Sequence, residues 1–266
     1  MPAQELRLRR PWFGAAMALA VAVASGCHQE ESEISAPTGP TLEAANFASK
    51  ALADFFAANT KVLEGVLADV EKEGAKTPDL PAKLAAARAK LPDHAPLMVF
   101  DAKRQLVASD VGPEGLPPYK VVMPLLRRCQ LTKKPVVTEA WLGNDKHYWV
   151  AQGRMAGEGE KALTAVTAYP LVGKTTAALL ASLQKVGAHN LQVLDDTGLA
   201  AWSTKIEDRF KSAVHGTYLL DKIQDGKPFQ TKCHDCHETD KHKIERSDVR
   251  ITVVPVAGTK WSVSVR

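Results

Sequence analysis

The sequence predicts an α+β fold, with one long N-terminal helix followed by two antiparallel-sheet units. Three observations carry this reading. Apolar residues recur at steps of three and four through residues 41–70, the period of a helix with one buried face. After residue 96 the pattern changes to short alternating runs broken by polar turns, the signature of strands. These runs then recur nearly a hundred residues later, which marks an internal duplication. The chain of 266 residues is 45% hydrophobic and 24% charged, as expected of a globular protein able to bury a core without disulfides. Collagen, a wholly disordered chain and a multi-span membrane protein are excluded. Arg7, Arg9 and Arg10 against Glu5 leave the leader a surplus of two charges, half of the formal +4. The remainder has no basic excess with which to hold nucleic acid.

Residues 1–26 read as an export signal. The three arginines precede an apolar run, Gly14 to Ala24, of 11 residues. A helix that spans a bilayer needs about 20, so this segment is a signal peptide and lies outside the fold. It ends Val23-Ala24-Ser25-Gly26-Cys27, which resembles a bacterial lipobox, with Ala24 where Leu is usual. The resemblance implies cleavage before Cys27, acylation of Cys27 and attachment to a membrane through lipid. An ordinary signal peptide cut nearby is the alternative. Residues 27–41 are polar, carry prolines and read as a flexible tether.

The body begins with helices, residues 42–96. Thr41 is placed to cap the first, along which Leu52, Phe55, Phe56, Leu63, Val66, Leu67 and Val70 form the apolar stripe, with Gly74 at its end. Thr77 and Pro78 begin a second, alanine-rich helix that Pro92 and Pro96 terminate. Residues 97–109, LMVFDAKRQLVAS, form a first hairpin, and 191–203, LQVLDDTGLAAWS, repeat it at an offset of 94. Lys134-Pro135 with Thr138 returns as Lys227-Pro228 with Thr231, and Pro170 with Gly173 as Pro255 with Gly258. Each copy reads as a hairpin, a helical stretch and three strands. Those strands lie near 135–142, 147–155 and 162–170, then near 228–232, 248–255 and 260–265. The helix 174–187 joins the copies. The units are 97–173 and 174–266, each an antiparallel sheet with helices on one face.

A long helix followed by two such units resembles the double Cache family, the extracytoplasmic relatives of PAS domains. LMVFDAKRQLVAS, LQVLDDTGLAAWS, AYPLVG and VVPVAGTKWSVSVR carry the resemblance, which covers roughly residues 42–266. It implies PAS-like sheets with ligand pockets, a membrane-distal first unit and a sensory or binding role. A Cache receptor usually continues past its last strand into a second membrane span, which does not follow here, so signalling would pass through a partner protein. The family's amino-acid-binding motif is not found. Trp141, Tyr148 and Trp149 read as aromatic strand residues.

Cys233-His234-Asp235-Cys236-His237 is a CxxCH sequence, the attachment motif of c-type haem. Two thiols three residues apart add to the two vinyl groups of one haem, and the adjacent histidine ligates the iron. Cys233 and Cys236 would form the thioethers and His237 the axial ligand. With 4 Cys and 8 His in the chain, chance supplies about 0.002 such motifs. A zinc site would need two more ligands, a redox pair would need a thioredoxin-like setting, and a plain disulfide is the remaining alternative. The motif falls in an insertion, 233–247, that replaces the short turn Gly143-Asn144-Asp145 of the first unit.

The sixth ligand decides the function. A filled site favours electron transfer and an open one favours gas binding. No methionine follows His237, which disfavours an ordinary class I cytochrome c. The cytochrome c′ family, a helical bundle, is disfavoured by the alternation after residue 248. Met98, Met123, Met155, His147, His189 and His215 are upstream candidates, each better read as packing or surface. His242 is too close to His237 to reach the opposite haem face, and His234 reads as a surface residue. Cys129 reads as a buried apolar side chain. No nucleophile–base pair or carboxylate dyad marks an enzyme. The leading expectation is a sensory or ligand-binding lipoprotein of the bacterial cell envelope, on the periplasmic side, carrying one haem c and acting through an envelope redox or signalling partner. A monohaem electron carrier is the alternative, and a structural haem with an organic ligand in the first unit is the third reading.

Overall fold

The computed structural model describes residues 34–73, 79–117, 119–143, 146–185, 190–211, 217–234 and 248–266. The leader, Cys27 and the Thr77–Pro78 helix start fall outside them, as do Gly74, His189, His215, Cys236 and His237. Ser35 exchanges two backbone hydrogen bonds with Gln230, which pins the residues before the first helix to a sheet edge. Helix α1 runs Pro40–Glu73 and α2 Leu80–Arg88. Gly39, at φ +80°, turns the chain into Pro40. Pro40 lacks only a donor that the first turn could not use. Thr41 is therefore inside the helix and does not cap it; its hydroxyl pairs with that of Thr252 at 2.8 Å. The second helix as described starts after Asp79, with Pro81 in its first turn.

The first sheet contains β1 (Leu97–Phe100), β2 (Leu106–Ser109), β3 (Val136–Val137), β4 (Trp141–Leu142), β5 (Tyr148–Ala156) and β6 (Leu163–Pro170). Its order is β2-β1-β6-β5-β3, with β4 also on β5. Helix α3 (Tyr119–Thr132) lies between β2 and β3 in the chain, and α4 (Lys174–Gln184) leads to the second unit. The second sheet, β7 (Leu191–Leu194), β8 (Ala200–Ser203), β9 (Phe229–His234), β10 (Asp248–Pro255) and β11 (Ser262–Val265), repeats the order as β8-β7-β11-β10-β9. Helix α5 (Thr217–Gln224) occupies the place of α3.

The duplication extends to single hydrogen bonds. Val99 pairs with Ala108 and Phe100 with Leu106; Val193 pairs with Trp202 and Leu194 with Ala200. Both hairpins thus carry a bulge at the same place. Asp101 accepts the Gln105 amide and Asp195 the Leu199 amide. The turns place Arg104 (φ +64°) and Gly198 (φ +78°) in equivalent left-handed positions. The third sequence echo does not survive, because Pro170 ends β6 and Pro255 ends β10. Strand order makes β6 the counterpart of β11, so that echo is a coincidence of residue type.

Helices cover both faces of the first sheet, rather than the one expected. Leu97 and Val99 face the cluster shared with α1 and α2, while Met98 and Phe100 face Leu125, Leu126 and Cys129 of α3. This gives β1 a fully buried run in place of a half-exposed alternation. Helix α1 serves both sheets. Ser49 donates to the Pro255 carbonyl at 2.7 Å, and further along the helix Gln152 donates to the Phe56 carbonyl and the Thr60 hydroxyl, each at 2.7 Å. One apolar cluster therefore runs through both units, from Leu63 and Leu97 to Val263 and Trp261. At roughly 25 cal/mol per Å² of apolar surface, this shared burial is the main force joining them.

Candidate functional site

The sequence expected one strand over 135–142. The structure breaks it into β3 and β4, and the break builds the region of interest. Thr138 still receives the ladder: its amide donates to the Ala151 carbonyl and its hydroxyl accepts the Ala151 amide. Its own carbonyl is taken by the buried indole N–H of Trp261 at 2.9 Å. The Ala140 amide donates to Asp195 Oδ2 at 3.0 Å. Residues 138–140 are thus bonded to the second unit, and their backbone cannot continue the ladder on β5. Beside them Tyr148 stacks on Phe210, with ring centroids 3.6 Å apart. Phe210 sits at φ +60°, a conformation that bulky residues rarely adopt.

The same segment walls a cleft of about 260 Å³ in the first unit. Its floor comes from Val121, Pro124 and Leu125 of α3, and its polar groups are Arg128, Thr138, Glu139 and Trp141. Arg128 bonds Glu139 at 2.5 Å and reaches Asp196 of the second unit at 3.4 Å. The indole N–H of Trp141 is buried and has no partner among the described residues. Its ring stacks on Trp149 at 6.1 Å. The expected aromatic strand residues are thus present, and Trp141 in addition lines the cleft. Burial raises the Asp196 carboxyl above its usual range; Glu139 and Asp195 raise it further, while Arg128 and Lys260 pull it down.

The CxxCH sequence begins on the last rungs of β9, where Cys233 pairs with Val249 and His234 with Asp248. Cys233 therefore belongs to a strand by its backbone, and not to the loop. The ladder explains why: Val249 and Asp248 of β10 remain within reach until His234. Equivalent pairs measure the insertion. Val137 and Gln152 are 15 residues apart, Gln230 and Thr252 are 22 apart, so the second copy has seven more residues. The rest of the motif lies in 235–247, outside the described residues.

Three upstream methionines are accounted for by packing. Met98 and Met155 are buried among Leu125, Leu126 and Val166, and Met123 packs against the same cluster. His147 is exposed, while His189 and His215 lie outside the described residues. Cys129 is buried, and burial pushes its thiol up to about 12 against the partial relief from Arg154 and Arg128. Such a thiol packs and does not react. Among the described residues no cluster of histidine, cysteine and carboxylate could hold a metal ion, and no helix is long and apolar enough to cross a membrane. Sequence reading missed Arg128, Glu139 and Asp196, because nothing local marks a charged residue as lining a cleft.

No protein-family model matches the chain, and no curated protein is significantly similar to it in sequence. Solved structures do match. An extracellular ligand-binding receptor from Desulfohalobium retbaense superposes with a TM-score of 0.57 at 11% identity, over 85% of this chain and 39% of that one. The ligand-binding domain of the Pseudomonas aeruginosa amino acid chemoreceptor PctC, solved with GABA, gives 0.56 at 13% identity, over 84% and 96%. That of the Campylobacter jejuni chemoreceptor Tlp3, solved with L-valine, gives 0.56 at 12%, over 85% and 90%. All three are described as ligand-binding receptors or ligand-binding domains of receptors. At such identities the likeness speaks to fold: this chain has the α+β fold of the double-Cache-like sensor domains, a long N-terminal helix laid along two antiparallel sheets.

Proposed function

We propose that the chain is an exported sensory or ligand-binding protein that carries one haem c on its second unit and reports through a separate partner of the cell envelope. The observation that carries this is the position of CHDCH. A haem-attachment sequence opens at the end of β9, in the one connection that the second copy has lengthened relative to the first. Cys233 stands on the last rungs of that strand, and Cys236 and His237 follow it in the lengthened connection. Cys233 and Cys236 would hold the porphyrin and His237 the iron. Bound there, haem supplies redox and gas-ligand chemistry at iron. The lipid on Cys27 would keep the protein at a membrane on the periplasmic side.

The test is an absorption spectrum of residues 28–266, exported from a host that matures haem c, taken oxidised, reduced and reduced with CO. The expected result is a covalent haem spectrum with a Soret band that CO shifts. Cys233→Ala with Cys236→Ala should abolish it. Absence of covalent haem refutes the proposal. Haem that ignores CO has a strong sixth ligand, and the protein would then be an electron carrier.

The first-unit cleft supports a second activity in the same protein. An unpartnered indole N–H beside an Arg128–Glu139 pair and an apolar floor suits a small polar organic ligand. A screen of small metabolites by thermal shift, repeated on Trp141→Phe, tests it; a stabilising ligand that the variant binds equally well would refute this assignment.

A further inference from the structure

The two copies differ at one corner in a way that packing alone does not require. By the hairpin registers Asp196 stands where the first copy has Ala102. By the β1–β6 and β7–β11 registers Lys260 stands where the first copy has Ala162. In the first unit Ala162 belongs to the buried α3-side cluster and Ala102 packs against it. In the second unit the corner is a cleft of about 320 Å³, lined by Asp196, Ile223, Gln224, Pro255, Lys260 and Trp261 among others. Two small apolar groups have been replaced by opposite charges, and the corner has not closed.

The charges are incompletely matched. Asp196 Oδ2 lies 3.4 Å from Arg128, but Asp196 Oδ1 is buried and has no partner among the described residues. A buried acceptor without a donor is unfavourable, so it calls for an N–H. Lys260 is exposed and makes no ion pair among the described residues. Lys260 and Asp196 both line the cleft. The apolar side chains of Ile223 and Trp261 are both buried and offer a hydrocarbon wall.

We propose that this seam cleft is a second ligand site, for a small zwitterion. Its N–H cation would donate to Asp196 Oδ1, its anionic group would meet Lys260 beside the Gln224 amide, and its short hydrocarbon would lie on Ile223 and Trp261. Arg128 also holds Glu139 on the wall of the first-unit cleft, so the two clefts share a cation.

The experiment is calorimetric titration of the exported protein with β-alanine and taurine, against propionate and propylamine as single-charge probes. The zwitterions should bind and the single charges should bind at least about tenfold more weakly, as expected for the loss of one charge-assisted hydrogen bond. Lys260→Gln, an exposed change that leaves the unfolding temperature in place, should weaken zwitterion binding by about tenfold or more, and Asp196→Asn likewise. The proposal is overturned if no zwitterion binds, or if Lys260→Gln binds as tightly as the parent. It is also overturned if binding is lost with Trp141→Phe but not with Lys260→Gln; that result places the probe in the first-unit cleft and leaves the reading of that cleft intact.

Discussion

Gly153 on β5 controls how closely α3 approaches the first sheet. A Cβ built there would lie 2.9 Å from Cys129 Sγ and 3.3 Å from Leu125 Cγ. Cys129 and Leu125 are both fully buried, at 0% exposure, so neither can swing into solvent. Gly153→Ala should therefore destabilise the protein by about 1–3 kcal/mol, the usual range for overpacking a closed interior. Cys129→Ala alone removes one sulfur and should cost about 1 kcal/mol by lost burial. The two changes are complementary, because the new methyl group enters the space that the sulfur leaves. The double variant should recover about 1 kcal/mol or more relative to the sum of the single losses. Urea unfolding followed by far-ultraviolet dichroism measures all four proteins, with equal slopes required for the comparison. A melting temperature should fall by roughly 2–4 °C per kcal/mol for a chain of this size. Additivity within about 0.5 kcal/mol would refute the claimed contact.

Three further outcomes are expected. Gln152→Leu removes the donor to the Phe56 carbonyl and Thr60 hydroxyl in a fully buried position, and should cost about 1–3 kcal/mol in the same assay; a neutral result would mean that α1 is not held by this side chain. Trp261→Phe leaves the Thr138 carbonyl without its indole donor and should cost about 1–3 kcal/mol while raising amide exchange at residues 138–140; unchanged exchange there counts against the seam. Cys129 titrates near 9 when unfolded and near 12 when folded. Its folded pKa is raised, so the protonated thiol's contribution is complete below 9 and is lost as pH rises towards 12. Cys129→Ala should therefore lose less stability than the parent between pH 9 and 12, and parallel slopes would refute this.

Local patterns made much of the fold legible. The stripe from Leu52 to Val70 announced α1, and the 97–109 and 191–203 segments announced twin hairpins down to their shared offset. Such features depend on residues near one another in sequence, where period and turn chemistry act directly. The echo of Pro170 in Pro255 misled because two residue types at a similar spacing carry no register. The register became visible only through pairing partners, which made β6 the counterpart of β11. The break between β3 and β4 was equally hidden. Thr138 and Ala140 read as strand residues, and only Trp261 and Asp195, more than fifty residues away, withdraw their backbone groups from the ladder.

The proposed haem motif and the first-unit cleft divide along the same line. The sequence alone carries CHDCH, the proposed attachment motif, because the residues that would meet porphyrin geometry lie three and four apart. The expected export signal is likewise read from contiguous residues of the leader. Only the tertiary structure decided that Arg128, Glu139, Trp141 and Asp196 meet, that Met98 and Met155 are packing, and that the second copy keeps an open, charged corner where the first is closed. Contacts of that kind join residues whose separation in the chain leaves no trace in local spacing, and only the shared core of α1 and the two sheets brings them together.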